Sequence, residues 1–204
     1  MVAPLFAIRP LAWDAPDPAS IDAILITSAN TAREAGPQLE LFCGIPCHTV
    51  GEATAAAVRD AGLEDVRVGP ADGIAALTEI DGKHVLHLCG RDHVPLERPG
   101  LRIERRTVYS AEAVGTLPAE ARQAVERGAL VLIHSPRAGT LFARLVDQAG
   151  LPRTTVSIAA ISEAAAAAAG AGWRSLASAE RPRDEALLEL ACRLCQTGSG
   201  RVRE

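Results

Sequence analysis

Short apolar runs alternate along this chain with longer stretches in which apolar positions recur at helical spacing. Residues 2–13 read as extended, because Pro4 and Pro10 exclude a helix. Ser20 is expected to cap a brief turn ahead of a strand at 23–27. That strand is apolar throughout, as inside a parallel sheet buried on both faces. A helix over 31–41 should break at Gly36-Pro37. A strand from Cys47 to Val50 turns at Gly51 into an alanine-rich helix ending at Gly62. Next come a strand at 65–68, a helix at 74–80, a strand at 84–89 ending at Gly90-Arg91, and a strand at 102–109. A helix beginning near Pro118 covers 120–127 and stops at Gly128. The remainder is strand 130–134, helix 138–149, strand 155–161, helix 163–169, strand 173–177 and a helix from Pro182 and Asp184 to about Cys195.

Alternating strands and helices imply α/β architecture with parallel sheets and right-handed crossovers. Ligands of such sheets bind beyond the carboxyl ends of the strands, where Ser28, Gly51, Gly90 and Ser135 fall. The chain also repeats itself. Apolar strand ending in Ser28 matches apolar strand ending in Ser135, and the strand into Gly51 matches the strand into Ser162. The period is too long for a solenoid and points to two similar α/β domains.

Composition narrows the class. The 204 residues suffice for one large domain or two small ones. With 48% hydrophobic, 23% charged and 3% aromatic residues, the chain is a globular protein with an aliphatic core. A net charge of -4 argues against nucleic acid as partner. No apolar run reaches membrane-spanning length, and no basic signal-peptide region opens the chain, so a cytoplasmic protein is expected. Five cysteines, an odd number, fit a reducing compartment. Cys43 and Cys47 flank a turn. Cys192 and Cys195 lie in a helical pattern whose apolar face is marked by Leu187, Leu188, Ala191, Leu194 and Cys195. Neither pair has a second ligand cluster, so no metal site is expected.

Several short motifs, in order, carry a resemblance: Thr27-Ser-Ala-Asn30 after an apolar strand, Val50-Gly51 with Thr54 and Gly62, Leu88-Cys-Gly-Arg91, Thr107-Val-Tyr109, and Ser135-Pro-Arg137. Their order and spacing over nearly the whole chain resemble the uroporphyrinogen III synthase family. The resemblance implies two similar α/β domains with parallel sheets flanked by helices, joined by two extended linker strands, with a cleft between them. Residues 12–107 are the first domain. Residues 1–8 with 113–204 are the second, discontinuous one, and 5–11 and 105–111 are the linkers. It further implies closure of the linear tetrapyrrole hydroxymethylbilane, which carries eight carboxylates, to uroporphyrinogen III. The last pyrrole ring is inverted and water is lost, through an azafulvene and a spiro intermediate. Neither metal nor organic cofactor is implied. The substrate also closes unaided to the uninverted isomer, so orientation is a main task of the catalyst. No nucleic-acid or membrane partner is expected, and the chain is expected to be a monomer.

Tyr109, the only tyrosine, matches the family's T-V-Y and becomes the candidate catalytic residue, able to donate to a departing hydroxyl without carrying charge. The plainer reading is an amphipathic side chain where strand meets linker. Thr54, in the first turn of its helix, is a candidate for binding a substrate carboxylate, or else satisfies a backbone group. Thr27, Ser28, Ser135 and Arg137 sit at strand ends, where they bind substrate or cap helices. Gly90 permits close backbone approach, and Arg91 either pairs with a carboxylate or is a solvated loop charge. His87, His93 and His134 are left outside the site.

Two features depart from the family pattern. Ser162 replaces the glycine and Ala165 the hydroxyl residue in the second copy of the Gly51 turn. The chain also opens at the segment that follows the family's usual first strand, turn and helix. A shortened N-terminus is therefore expected, with its effect on residues 113–204. A non-catalytic two-domain binder of an anionic small molecule, a degenerate relative of the family, is the alternative. A nucleotide-binding protein is disfavoured because no P-loop or G-x-G-x-x-G occurs.

Overall fold

The computed structural model describes residues 2–69 and 72–199. They divide into two compact units, residues 8–112 and residues 1–7 with 113–204. Both are built of parallel strands flanked by helices. The chain passes between the units along β1 (Phe6–Pro10) and β6 (Arg102–Ala113). Leu11 N–H donates to Val108 and Val114 N–H to Leu5, so these two strands run antiparallel.

In residues 8–112 the strands are β2 (Ala23–Ile26), β3 (Cys47–Val50), β4 (Val66–Gly69) and β5 (His84–Gly90), with β6 and β1 alongside. The six-stranded order is β1-β6-β5-β2-β3-β4. β2 is central and pairs in parallel with β3 on one side and β5 on the other. Its four residues are no more than 1% exposed, because both faces are covered. One face packs Ile24, Ile26, Leu86, Leu88 and Val108 with Phe42 and Val58. The other packs Ala23, Leu25 and Val85 with Leu77, Ile80 and Leu96. Deleting a side chain such as Ile24 to alanine costs about 2–5 kcal/mol in so closed an environment.

The helices here are α1 (Ala29–Glu34), α2 (Glu52–Asp60) and α3 (Gly73–Thr78). The expected helix 31–41 is two pieces, α1 and a 3-10 segment Pro37–Phe42, divided at Gly36-Pro37 as the proline requires. The turn near residue 20 is capped by Asp17, not Ser20. Asp17 accepts from Ala19 N–H, while the Ser20 hydroxyl donates to the Asp17 carbonyl. β6 runs four residues past the expected end, to Ala113.

In the other unit, β7 (Leu130–Ile133), β8 (Ser157–Ala160) and β9 (Ser175–Ser178) form a three-stranded parallel sheet. It packs with α4 (Ala119–Glu126), α5 (Pro136–Gln148), α6 (Glu163–Ala169) and α7 (Asp184–Ser199). Helices α5 and α6 approach closely because Gly139 has no side chain: a Cβ there would lie 2.8 Å from the Ala165 carbonyl. The apolar face of α7 runs through Leu187, Leu190, Ala191 and Leu194. Leu188 and Cys195, expected on that face, are exposed. An apolar groove of about 430 Å³ lies along β7, between Leu5 and Phe6 and the helices α4 and α5. Among the described residues no helix is long and apolar enough to cross a membrane.

One row of the six-stranded sheet reads Arg67, His48, Leu25, His87 and Arg105 across the strands. His87 is 1% exposed and neither ring nitrogen has a hydrogen-bond partner. His93 meets its ring edge-on at 6.0 Å. Burial, with the nearby His93 and Arg105, pushes His87 down to about 4 from an ordinary 6.5. The folded state thus holds it neutral, and its contribution is complete above the unfolded value of 6.5. The contribution is lost as pH falls from there toward the folded value. Stability of residues 8–112 should drop by about 2 kcal/mol between about pH 7 and about pH 5 from this group alone. Urea unfolding followed by Trp13 fluorescence in a Trp173→Phe chain measures it, and His87→Leu should flatten that part of the pH dependence.

Candidate functional site

In residues 8–112 the chain moves from β2 outward through β3 to β4, then returns to place β5 on β2's other side. The order therefore reverses between β2 and β5, and the crevice beyond their carboxyl ends is where such sheets take ligands. β2 ends into Thr27 and Ser28, β5 into Gly90 and Arg91. Tyr109 comes from β6, the next strand over, and reaches across Gly90 so that its hydroxyl donates to Ser28 Oγ at 3.3 Å. Residues 81 positions apart thus meet at the reversal point.

Ser28 is the N-cap of α1, and its Oγ accepts from Asn30 N–H at 3.3 Å. The same oxygen accepts from the phenol. Gly90 is closed in: a Cβ there would lie 2.6 Å from Tyr109 Cζ and 2.8 Å from its hydroxyl oxygen. The Arg91 N–H donates to the Tyr109 carbonyl at 2.9 Å, while the Arg91 side chain is exposed. The Thr27 methyl lies 3.3 Å from the place of a Gly73 Cβ, at the start of α3.

Gly51 occupies the N-cap of α2 at φ 78°, a left-handed conformation that suits glycine. No side chain caps this helix, so Thr54 does not serve as its cap. Thr54 is 6% exposed, on the helix face that buries Ala55, Ala57 and Val58.

The other unit repeats the arrangement. Ser135 follows β7, caps α5 and accepts from Ala138 N–H at 3.1 Å, with Pro136 in the first turn. Arg137 is exposed and its guanidinium lies 4.6 Å over the Phe6 ring. Ser162, where the first copy has Gly51, caps α6 and accepts from Ala165 N–H. Ala165 is fully buried against α5. His134 lies 3.5 Å from Asp184, both largely exposed. The groove along β7 is lined almost wholly by apolar side chains, and Ser135, Arg137 and Ser162 are not among its lining. Burial lifts the Cys47 thiol to about 12, which leaves it unreactive. Among the described residues no cluster of His, Cys, Asp and Glu gathers that could hold a metal ion.

Sequence reasoning named Ser28, Gly90 and Tyr109 singly and missed that they form one contact. The available signal was a glycine ending one strand with an aromatic residue near the end of the next.

Fold and site define a doubled α/β protein whose strands end in serines that cap the helices following them. The family profile for uroporphyrinogen-III synthase HemD matches residues 1–189. The solved uroporphyrinogen-III synthetase of Helicobacter pylori 26695 is 19% identical, with 93% of this chain and 91% of that chain covered at a TM-score of 0.68. A mutant uroporphyrinogen III synthase of the extremely thermophilic bacterium Thermus thermophilus is 16% identical, with 97% and 89% covered at a TM-score of 0.50. No curated protein matches the chain. The two solved structures share its fold. The chain belongs to the uroporphyrinogen-III synthase family, the cyclising lyases of haem biosynthesis that turn hydroxymethylbilane into uroporphyrinogen III.

The capping role of Ser135 has a direct test. Ser135→Ala should destabilise residues 113–204 by about 1 kcal/mol, and Ser135→Asp, which keeps an acceptor at the cap, should restore most of it. Unfolding of a Trp13→Phe chain, followed through Trp173, which stacks on Phe142 of α5 at 5.5 Å, reports the change.

Proposed function

We propose that Tyr109 assists departure of the substrate's hydroxyl and that the surrounding strand ends hold its carboxylates. The observation that carries this reading is the phenol at the β2/β5 reversal point, hydrogen-bonded to Ser28. At 3.3 Å this contact is long for an O–H···O bond, so the phenol proton can turn toward a substrate oxygen at little cost. The phenol hydrogen-bonds or transfers its proton to the hydroxymethyl oxygen as the C–O bond breaks, and water leaves. The electron pair of the pyrrole stabilises the carbon left behind as an azafulvene cation. When the new carbon–carbon bond has formed, a ring-carbon proton is lost. It balances the proton that went to water.

Chain closure without a catalyst gives the uninverted isomer, so positioning of the last ring decides the product. Carboxylates remote from the reacting carbon supply binding energy for that positioning. In residues 8–112, Thr27, Thr54 and Arg91 join Ser28 and Gly90 as contacts. In the other unit Ser135 and Arg137 serve, where the 13-residue helix α5 begins. Arginine guanidinium groups suit carboxylates in paired geometry, and helix N-termini suit them through free N–H groups. The chain acts as a cytoplasmic monomer on this small molecule and takes no nucleic acid, in keeping with its net charge of -4.

An assay that supplies hydroxymethylbilane and separates isomer III from isomer I tests the proposal. Tyr109→Phe should lower turnover by about ten-fold or more with the fold intact, since one transition-state hydrogen bond is lost. Isomer III production at the parent rate would remove Tyr109 from the site. Thr54→Ala should cost at least as much turnover. A variant that loses only thermal stability would make Thr54 a packing residue.

A further inference from the structure

We propose that Gly90 and Ser28 are positioning residues for Tyr109, which rests on the reading that the Tyr109 phenol meets the substrate. Three observations place the ring. First, the β5–β6 pairing slips between Cys89 and Gly90: Cys89 faces Thr107, but Gly90 faces Tyr109, so Val108 is the extra residue of a bulge. A bulge breaks strand alternation and re-aims the side chain that follows it. Consecutive Val108 and Tyr109 consequently both pack on the core that holds Ile26 and Leu88. Second, the slip sets the aromatic ring directly on Gly90, at distances no Cβ tolerates. Third, Arg91 N–H holds the Tyr109 backbone at its carbonyl, and Ser28 Oγ accepts from the phenol at the far end of the side chain.

The atoms that a Cβ at Gly90 would strike are the outer ring carbons and hydroxyl of Tyr109, the movable end of a side chain. Alanine at this position therefore swings the ring away and leaves the strand in place. The φ of Gly90 is not in the left-handed region, so the backbone itself accepts alanine. Gly90 leaves free the space that the ring occupies, and an alanine there acts on the reaction through the phenol. Ser28 works at the other end. Its Oγ is held by the α1 cap, and it fixes the direction in which the phenol proton rests before substrate arrives.

Because Tyr109 is the sole tyrosine, 3-fluorotyrosine labelling yields a single protein fluorine resonance that reports on this ring alone. Gly90→Ala should move that resonance. In unlabelled protein it should lower kcat by about ten-fold, with KM changed by less than about three-fold, because the loss falls on the transition state. In a Tyr109→Phe background, Gly90→Ala should lower kcat no further, since the two changes remove one contribution. Ser28→Ala should lower turnover, and Ser28→Thr, which keeps the hydroxyl, should restore it. This pair decides the matter if Gly90→Ala does not fold. A resonance unmoved by Gly90→Ala overturns the proposal, as does additive loss in the double variant. So does parent turnover in Gly90→Ala when Tyr109→Phe is impaired; in each of these cases the reading of Tyr109 stands. Parent turnover in Tyr109→Phe overturns that reading, and the proposal falls with it.

Discussion

The burial of β2 on both faces is the constraint from which the larger unit follows. A strand with no exposed face accepts only apolar residues, and its backbone N–H and C=O groups must be satisfied by strands on both sides. β3 and β5 supply those bonds, and two separate apolar layers cover Ala23, Leu25 and Val85 on one side and Ile24, Ile26 and Leu86 on the other. The order must reverse at β2 because β3 and β5 both adjoin it while connecting in sequence elsewhere. The reversal point at its carboxyl end is a by-product of that arrangement. Ser28 stands there because the strand must stop and a helix must start.

Such economy shows in the way single atoms serve twice. The Ser28 oxygen both caps α1 and receives the phenol. Arg91 offers its backbone N–H to Tyr109 while its side chain remains exposed. In the other unit Ser135 and Ser162 cap α5 and α6 in the same manner, but no tyrosine crosses them, since the chain has only one. The two units share a plan, and the phenol distinguishes them.

The succession of strands and helices along the chain and the internal repeat were legible because they rest on local signals, whereas the order of strands within the sheet was not. Four-residue apolar runs mark β2 and β7, and glycines at 62, 128 and 150 close helices with positive φ. The extent of β6 was not legible, because Ser110 and Glu112 look like a polar connector; pairing with β1 holds them as strand. The α7 face was misplaced at Leu188 and Cys195. Leu188 and Leu190 are equally apolar, and only contact with β8 and β7 selects Leu190. Of the candidate site, the residue types were visible and their grouping was not. The Ser28–Tyr109 contact depends on a one-residue bulge between β5 and β6, which no local pattern announces.

The two tryptophans of this chain fall one to each unit. Trp13 is 8% exposed, donates to the Ala35 carbonyl and lies near Phe42. Trp173 is 9% exposed, donates to the Ala169 carbonyl and has the Arg153 guanidinium 4.8 Å from its ring. Each indole is thus a built-in optical probe of its own half, with a cation recorded over the second ring. Emission from the two should differ in yield and in sensitivity to added quenchers, and a chain keeping a single indole would let the halves be watched melting separately.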